Sequence, residues 1–300
     1  MYSLRALAGA ALLTAVPAFL VTVFQAQSST LFANVSEQLA ALRAALSAAS
    51  AAGSDLLICP ELYATGYGLG APLCAEPRGG RSYAAAAAMA AAANVALVYT
   101  YTEDGGDGRL YDAAAVFSRG GAPLADYRKV NLAAGEDLFL TPGSGAPPVV
   151  ELLDGAGAPV RVGVLICFDI YLPEPARQLA LQRVDVIAVP TANGYPPGVY
   201  NSLTQLVVPT RALENNAFVV YTNWYQVRGG SGNSSFPEIW SFYGQSAVAD
   251  GGGNLLYQGP ADGPALAHVL LNFTGRVPGS TAIGRAAADL IGLCSNVSAA

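Results

Sequence analysis

The sequence predicts an α/β layered domain. Apolar, strand-like segments alternate with helix-patterned segments as far as residue 223, and strand-like segments dominate after that. The chain has 300 residues, 53% of them hydrophobic and only 12% charged, enough apolar material for a sizeable core. No linker long enough to divide it is visible, and no repeat with a period of roughly 20–50 residues. The Gly-rich stretch Arg228–Asn233 reads as a surface loop, with the composition of a lid over a site.

The first segment admits two readings. Leu7 to Phe24 is almost wholly apolar with Arg5 ahead of it, as in a signal peptide or anchor. At about eighteen residues it sits at the lower edge of a membrane span. Pro17 divides the run, and Phe19–Gln27, rich in Val and Phe, reads as a buried strand. The strand is the preferred reading. It leaves residues 1–17 as an N-terminal extension, 18–275 as the domain and 276–300 as a C-terminal tail. Sequons at Asn34, Asn233, Asn272 and Asn296 mildly favour a secretory route. The expected location is cytoplasmic. Secretion, or anchoring through residues 1–24, is the alternative and the one route to membrane contact.

Asn34 and Glu37 form a capping-box pair that opens a helix, with Val35, Leu39, Leu42 and Leu46 on one face and Gly53 as its stop. Leu56–Cys59 is a short strand ending at Pro60-Glu61. Ser82–Asn94 is an alanine-rich helix, and Val95–Tyr101 and Ala113–Ser118 are strands. Asp126-Tyr127-Arg128 reads as a turn. After the Gly/Pro-rich stretch Thr141–Pro148, Arg161–Ile166 is a strand and Pro173–Arg183 a helix. Val186–Pro190 is a strand, Ser202–Asn215 a helix and Ala217–Asn223 a strand. Gln245–Asp250, Leu255–Gln258 and Leu266–Asn272 complete the strands.

Composition excludes several classes of function. The net charge of −6 offers no basic surplus to a phosphate backbone, so no nucleic-acid partner is expected. One histidine, His268, rules out a His-rich metal site and disfavours a His-dependent triad. It falls in a late strand and reads as an ordinary surface or partly buried residue. Four cysteines are too few for a disulfide scaffold. Cys59 reads as an inert residue of a buried strand, and Cys74 and Cys294 would pair only in a secreted protein.

The basic residues are fourteen arginines and one lysine, Lys129. At solvated positions the two types are interchangeable. A single lysine therefore suggests a task that needs a compact, flexible ammonium rather than a planar guanidinium. Strand ends in α/β sheets carry functional groups, and three of them here carry reactive side chains. Leu56–Cys59 leads to Glu61, the turn at residues 126–128 to Lys129, and Arg161–Ile166 to Cys167. Cys167 lies at a strand-to-helix junction, where a nucleophile is exposed and backbone N–H groups face a developing oxyanion. With no histidine to serve it, a carboxylate base is the remaining choice. Glu61, Lys129 and Cys167 together suffice chemically as base, charge stabiliser and nucleophile.

These residues sit in segments that resemble the nitrilase superfamily of carbon–nitrogen hydrolases. The segments are Val23-Phe24-Gln25, Leu57-Ile58-Cys59-Pro60-Glu61-Leu62 with Thr65-Gly66-Tyr67, and Tyr127-Arg128-Lys129-Val130-Asn131-Leu132. They continue with Gly163-Val164-Leu165-Ile166-Cys167-Phe168-Asp169, then Pro209-Thr210-Arg211-Ala212-Leu213-Glu214-Asn215 and Tyr243-Gly244-Gln245-Ser246.

The resemblance implies an α-β-β-α sandwich, two mixed sheets flanked by helices, which pairs into a homodimer or higher homo-oligomer. It implies Glu61 as general base, Lys129 as oxyanion stabiliser, Cys167 as nucleophile, and Glu136, with Asp137 as fallback, as an assisting acidic residue. It also implies a thioester intermediate, no metal and no organic cofactor. Phe168, through its N–H, and Tyr67 and Asn193 are the expected substrate contacts. Asp169, Glu174, Arg177 and Arg211 are expected to form structural ion pairs.

Phe168-Asp169 after the nucleophile is similar to the amidase and carbamoylase branches, so the expected activity is hydrolysis of a small amide to a carboxylic acid and ammonia or an amine. A nitrilase, an N-carbamoyl amide hydrolase or an acyl transferase on the same scaffold is the nearest alternative. A non-catalytic, secreted or membrane-associated binding module is the alternative of another class.

Overall fold

The computed structural model describes residues 18–28, 34–66, 72–195, 203–226, 241–261 and 263–273. The N-terminal extension, the C-terminal tail, Arg228–Trp240, Tyr67 and Cys294 lie outside them.

Twelve strands form two six-stranded sheets. The first contains β1 (Ala18–Gln25), β2 (Leu56–Ile58), β3 (Ala96–Asp104), β4 (Leu110–Phe117), β5 (Pro123–Arg128) and, at its other edge, β12 (Ala265–Asn272), in the order β12-β1-β2-β3-β4-β5. The second contains β6 (Val149–Leu153), β7 (Pro159–Val164), β8 (Val186–Pro190), β9 (Phe218–Thr222), β10 (Ala247–Ala249) and β11 (Leu255–Gln258), in the order β11-β10-β9-β8-β7-β6. Both are mixed. β1, β2 and β3 are parallel, as are β7, β8 and β9, and the outer strands pair antiparallel. Helices α1 (Val35–Ala51) and α2 (Arg81–Ala93) pack on the first sheet, α3 (Pro173–Leu181) and α4 (Leu203–Asn215) on the second.

Period-two patterning sorts the strand residues between layers. Val21, Val23, Leu56, Ile58, Val186, Ala188 and Val220 face the other sheet, whereas Leu57, Ile187, Val189 and Val219 face the helices. The result is the α-β-β-α sandwich that the family resemblance implies. The Asn34 cap is present, with Asn34 Oδ1 accepting from the Ser36 and Glu37 N–H groups. Gly53 takes φ +73° just beyond the C-cap, a conformation suited to glycine. At α2 the N-cap is Gly80, which has no side chain to offer, and the Glu76 carboxylate accepts from the Ser82 and Tyr83 N–H groups instead.

Two expectations need correction. The turn expected at Asp126-Tyr127-Arg128 is the end of strand β5. Its charges hide the strand pattern, because Asp126 pairs with Arg78 and Arg128 with Glu103 while Tyr127 turns into the space between the sheets. Strand β6 has no counterpart among the expected elements. It is a five-residue edge strand that follows a Gly/Pro-rich stretch, too short to signal by periodicity.

Leu46 lies buried between α1 and the first sheet. Leu46→Ala should destabilise the protein by about 2–5 kcal/mol through lost burial and the cavity left behind. Urea unfolding would read this as a lower midpoint at unchanged slope. A loss below about 1 kcal/mol would contradict this packing.

Candidate active site

The site forms where the carboxyl ends of strands from both sheets converge. β2 leads through Pro60 to Glu61, β5 directly to Lys129, and β7 through Leu165-Ile166 to Cys167. β8 leads to Thr191-Ala192-Asn193 and β9 to Asn223-Trp224.

Glu61 is held at both main-chain and side-chain levels. Its N–H donates to Thr191 O at 3.2 Å, and its carbonyl accepts from Trp224 Nε1 at 2.7 Å. Trp224 in turn stacks on Tyr63, with ring centroids 5.5 Å apart and planes 13° apart. The carboxylate is fully buried. Oε1 accepts from Lys129 Nζ at 2.6 Å, and Oε2 from the Ala192 N–H at 2.6 Å.

Lys129 is buried to 0% exposure. Its main chain is clamped from two sides, its N–H donating to Asp112 O at 2.8 Å and its carbonyl accepting from Gly143 N–H at 2.7 Å. Gly143 is required there, since a Cβ at that position would collide with the Arg128 carbonyl. Nζ donates to Glu61 and, at 2.8 Å, to Glu136 Oε1, and it lies 3.7 Å from Asp112 Oδ2. Burial opposes the ammonium charge, but the acidic groups around it, Glu61 above all, outweigh it and hold the lysine pKa well above its ordinary value.

Glu136 reaches this cluster from a short 3-10 turn, Glu136–Leu138, entered through Gly135 at φ +88°. Its second oxygen accepts from the Ala133 N–H at 2.7 Å. Asp137 beside it is exposed, so Glu136 is the acidic neighbour of Lys129. One oxygen each from Glu61, Asp112 and Glu136 lies within 4.8 Å of the others, a spacing that would also suit a metal ion. In this site the lysine ammonium supplies the positive charge.

Cys167 opens a 3-10 turn, Cys167–Tyr171, at φ +44°, a left-handed conformation that costs a non-glycine residue about 1–2 kcal/mol. Asp169 stabilises the bend. One of its carboxylate oxygens accepts from the Ile166 N–H at 3.0 Å and the Tyr127 hydroxyl at 2.9 Å, the other from Asn131 N and Nδ2 at 3.0 and 2.8 Å. This one buried carboxylate therefore joins the turn carrying Cys167 to the segment carrying Lys129. Burial, followed by the Glu61 charge, pushes the Cys167 thiol well above its usual range. Lys129 and the Ala192 N–H pull the other way. The resting group is a thiol that needs a base.

Among the residues expected at the site, Glu61, Lys129, Glu136 and Cys167 come together. Phe168 follows in the same turn, stacks on Tyr171 with centroids 5.1 Å apart, and keeps its N–H free of hydrogen bonds among the described residues. Asn193 is buried nearby. Its Nδ2 donates to Tyr171 Oη at 3.1 Å, and its N–H to Asn223 Oδ1 at 2.8 Å.

The expected ion pairs are realised only in part. Asp169 is held by neutral donors, Glu174 is exposed in the first turn of α3, and Arg177 donates to the Glu214 carbonyl. Among the described residues, Arg211 alone of the four makes a charge pair, with Glu214 at 3.1 Å, and it also ties down the Ile170 and Tyr171 carbonyls. Three site groups escape sequence reasoning: Asp112, Trp224 and the Ala192 N–H. Asp112 leaves a signal, as a lone charge inside the apolar run Tyr111-Asp112-Ala113-Ala114-Ala115-Val116-Phe117.

Two sheets face to face, with a buried carboxylate, ammonium and thiol meeting at their strand ends, define a sandwich with a charged cysteine site between its layers. The carbon-nitrogen hydrolase family model matches residues 20–274, and the chain belongs to that family.

An (R)-stereoselective amidase of Pseudomonas sp. is 33% identical over 217 residues, 72% of each chain. A protein of Pseudomonas protegens described as the hydrolase in the pqqF 5′ region is 38% identical over 59% of this chain and 61% of its own. A nitrilase of Pyrococcus abyssi is 33% identical over 57% of this chain and 63% of its own. The match thus spans about three fifths of the length of these last two relatives. The solved structure of an amidase from Nesterenkonia sp. superposes with a TM-score of 0.69 at 24% identity, over 85% of this chain and 90% of the other, and so shares the fold. No helix among the described residues is long and apolar enough to cross a membrane.

Removing the ammonium would leave the buried carboxylates facing one another. Lys129→Met should cost about 3–5 kcal/mol of stability at neutral pH. Carboxyls crowded without a cation take up protons in the folded state, so their folded pKa values rise above the unfolded ones. Such groups stabilise the fold below their unfolded pKa, and the stabilisation is lost as pH rises through the folded pKa. The deficit of the variant relative to wild type should therefore shrink on acidification, as thermal unfolding across pH would show. A deficit that grows toward low pH would contradict this.

Proposed function

We propose that the protein hydrolyses the C–N bond of a small amide through a thioester on Cys167. The observation that carries this reading is the Lys129 ammonium, shared between Glu61 and Glu136 in a buried site beside the Cys167 thiol. As the Cys167 sulfur attacks the amide carbon, the Glu61 carboxylate takes the thiol proton. Negative charge gathers on the former carbonyl oxygen, where Lys129 and the Phe168 N–H supply positive charge. Glu61 passes its proton to the departing nitrogen, and ammonia or an amine leaves. Glu61 then takes a proton from water, the hydroxide attacks the thioester, and the carboxylic acid departs as Glu61 returns that proton to the Cys167 sulfur. Glu136 and the Ala192 N–H keep Lys129 and Glu61 in place through both halves.

The raised thiol pKa supports a base-assisted attack over a standing thiolate, which is why Glu61 is needed. An amide is preferred to a nitrile for two reasons. Phe168-Asp169 follows the nucleophile, and the relative matched over 72% of both chains is an amidase. In a solved structure of a mutant of the Nesterenkonia amidase, the acetamide moiety of fluoroacetamide is joined to the active-site cysteine, which fits a nucleophilic role for Cys167.

The test is ammonia release from a panel of short amides, ω-amides, carbamoyl compounds and nitriles. Wild type should turn over an amide, Cys167→Ala should fall to background, and Lys129→Arg should lose at least about 100-fold in kcat, because a planar guanidinium does not fit the ammonium's seat. Full activity in Lys129→Arg would contradict the role of the lysine. Release from nitriles alone would move the protein to nitrile hydrolysis. No turnover of any compound, with Cys167 inert to alkylation, would favour a binding module.

A further inference from the structure

The mechanism above leaves one group of the cluster without a task. Asp112 is 1% exposed, and both of its carboxyl oxygens lack a hydrogen-bond partner among the described residues. It sits in β4, opposite Thr102 of β3, while its own carbonyl accepts the Lys129 N–H at 2.8 Å. The titratable groups that face it are Glu61, Lys129 and Glu136, with Tyr127 beyond them.

Charge counting makes Asp112 significant. One ammonium faces three buried carboxyl groups. Three ionised carboxylates would leave two negative charges uncompensated in a buried site, which the desolvation cost of buried ions opposes. At least one carboxyl must hold a proton. Glu61 accepts from Nζ at 2.6 Å and from the Ala192 N–H, and Glu136 accepts from Nζ at 2.8 Å and from the Ala133 N–H. Both are solvated as carboxylates by short donors. Asp112, at 3.7 Å from Nζ and with no donor aimed at either oxygen, has nothing to replace the water that an anion would lose.

We propose that Asp112 is a positioning residue that stands as a neutral carboxylic acid at neutral pH, filling the third side of the Lys129 pocket and offering its O–H toward Glu61. The ammonium is then divided between Glu61 and Glu136 alone, and Glu61 remains ionised and ready to take the thiol proton. Burial raises the Asp112 pKa well above the aspartate range, and the Glu61 charge raises it further. This inference rests on the proposed thioester reaction for its kinetic consequence, but not for its statement about the proton.

Two readouts separate these. The infrared difference spectrum of wild type minus Asp112→Asn at pH 7, on full-length protein, should contain the C=O band of a protonated carboxyl. Carboxylate bands in its place would overturn the proposal. In amide hydrolysis, Asp112→Ala should lower kcat by about 10–100-fold with little change in KM. Asp112→Asn, a neutral group of the same shape that still offers an N–H, should recover most of that loss and keep the acid limb of the kcat/KM profile in place. An asparagine variant no better than alanine, or an acid limb displaced by asparagine, would overturn the proposal. Failure of wild type to hydrolyse any amide would count against the proposed reaction, while the infrared result would still decide where the proton lies.

Discussion

A single buried ammonium organises this molecule. Lys129 has no contact with solvent, yet it carries a charge, and an ion inside an apolar sandwich is tolerated only where partners replace its lost hydration. The partners come from separate parts of the chain: Glu61 from 68 residues away at the end of β2, Glu136 from the 3-10 turn, and Asp112 from the neighbouring strand. Bringing them together requires β2, β4 and β5 to be in register in one sheet. The fold and the charge cluster therefore depend on each other.

The second sheet is tied to this cluster by Asp169. Cys167 stands in a backbone conformation it would not choose alone, and the neighbouring carboxylate holds it there by binding across the interface between sheets. Tyr127 and Asn131, which flank Lys129, supply donors to it. Because those donors are neutral, Asp169 brings no further cation to the thiol. Cys167 is governed by burial, Glu61 and Lys129, and its pKa stays high. A cysteine kept protonated until a base acts is protected from adventitious oxidation, because the thiolate is the reactive form.

Much of this was legible in the residues. Period-two strands, the Asn34 cap and the Gly53 stop are local signals, and local physics sufficed to read them. Glu61 and Cys167 could be found because each follows an apolar strand that stops abruptly, and Lys129 because one lysine stands among fourteen arginines. Glu136 needed the family resemblance, since a loop carboxylate carries no local mark of burial. β5 was hidden because its charged residues find partners only in the folded state, through Arg78 and Glu103. Trp224 and the Ala192 N–H act through long-range hydrogen bonds to Glu61, spanning 163 and 131 residues, which no window along the chain contains. Asp112 lay in view, but a single acidic residue in a strand gives no hint of three other charged groups around it.

The chemistry proposed for this site depends on Cys167 carrying the acyl group between two steps. The most direct measurement is partitioning by hydroxylamine, using the amide and the methyl ester of one acid as alternative substrates. A shared Cys167 thioester predicts the same ratio of hydroxamate to free acid from both compounds, with both products absent in Cys167→Ala. A ratio that changes with the leaving group, or acid still formed by the alanine variant, would contradict it.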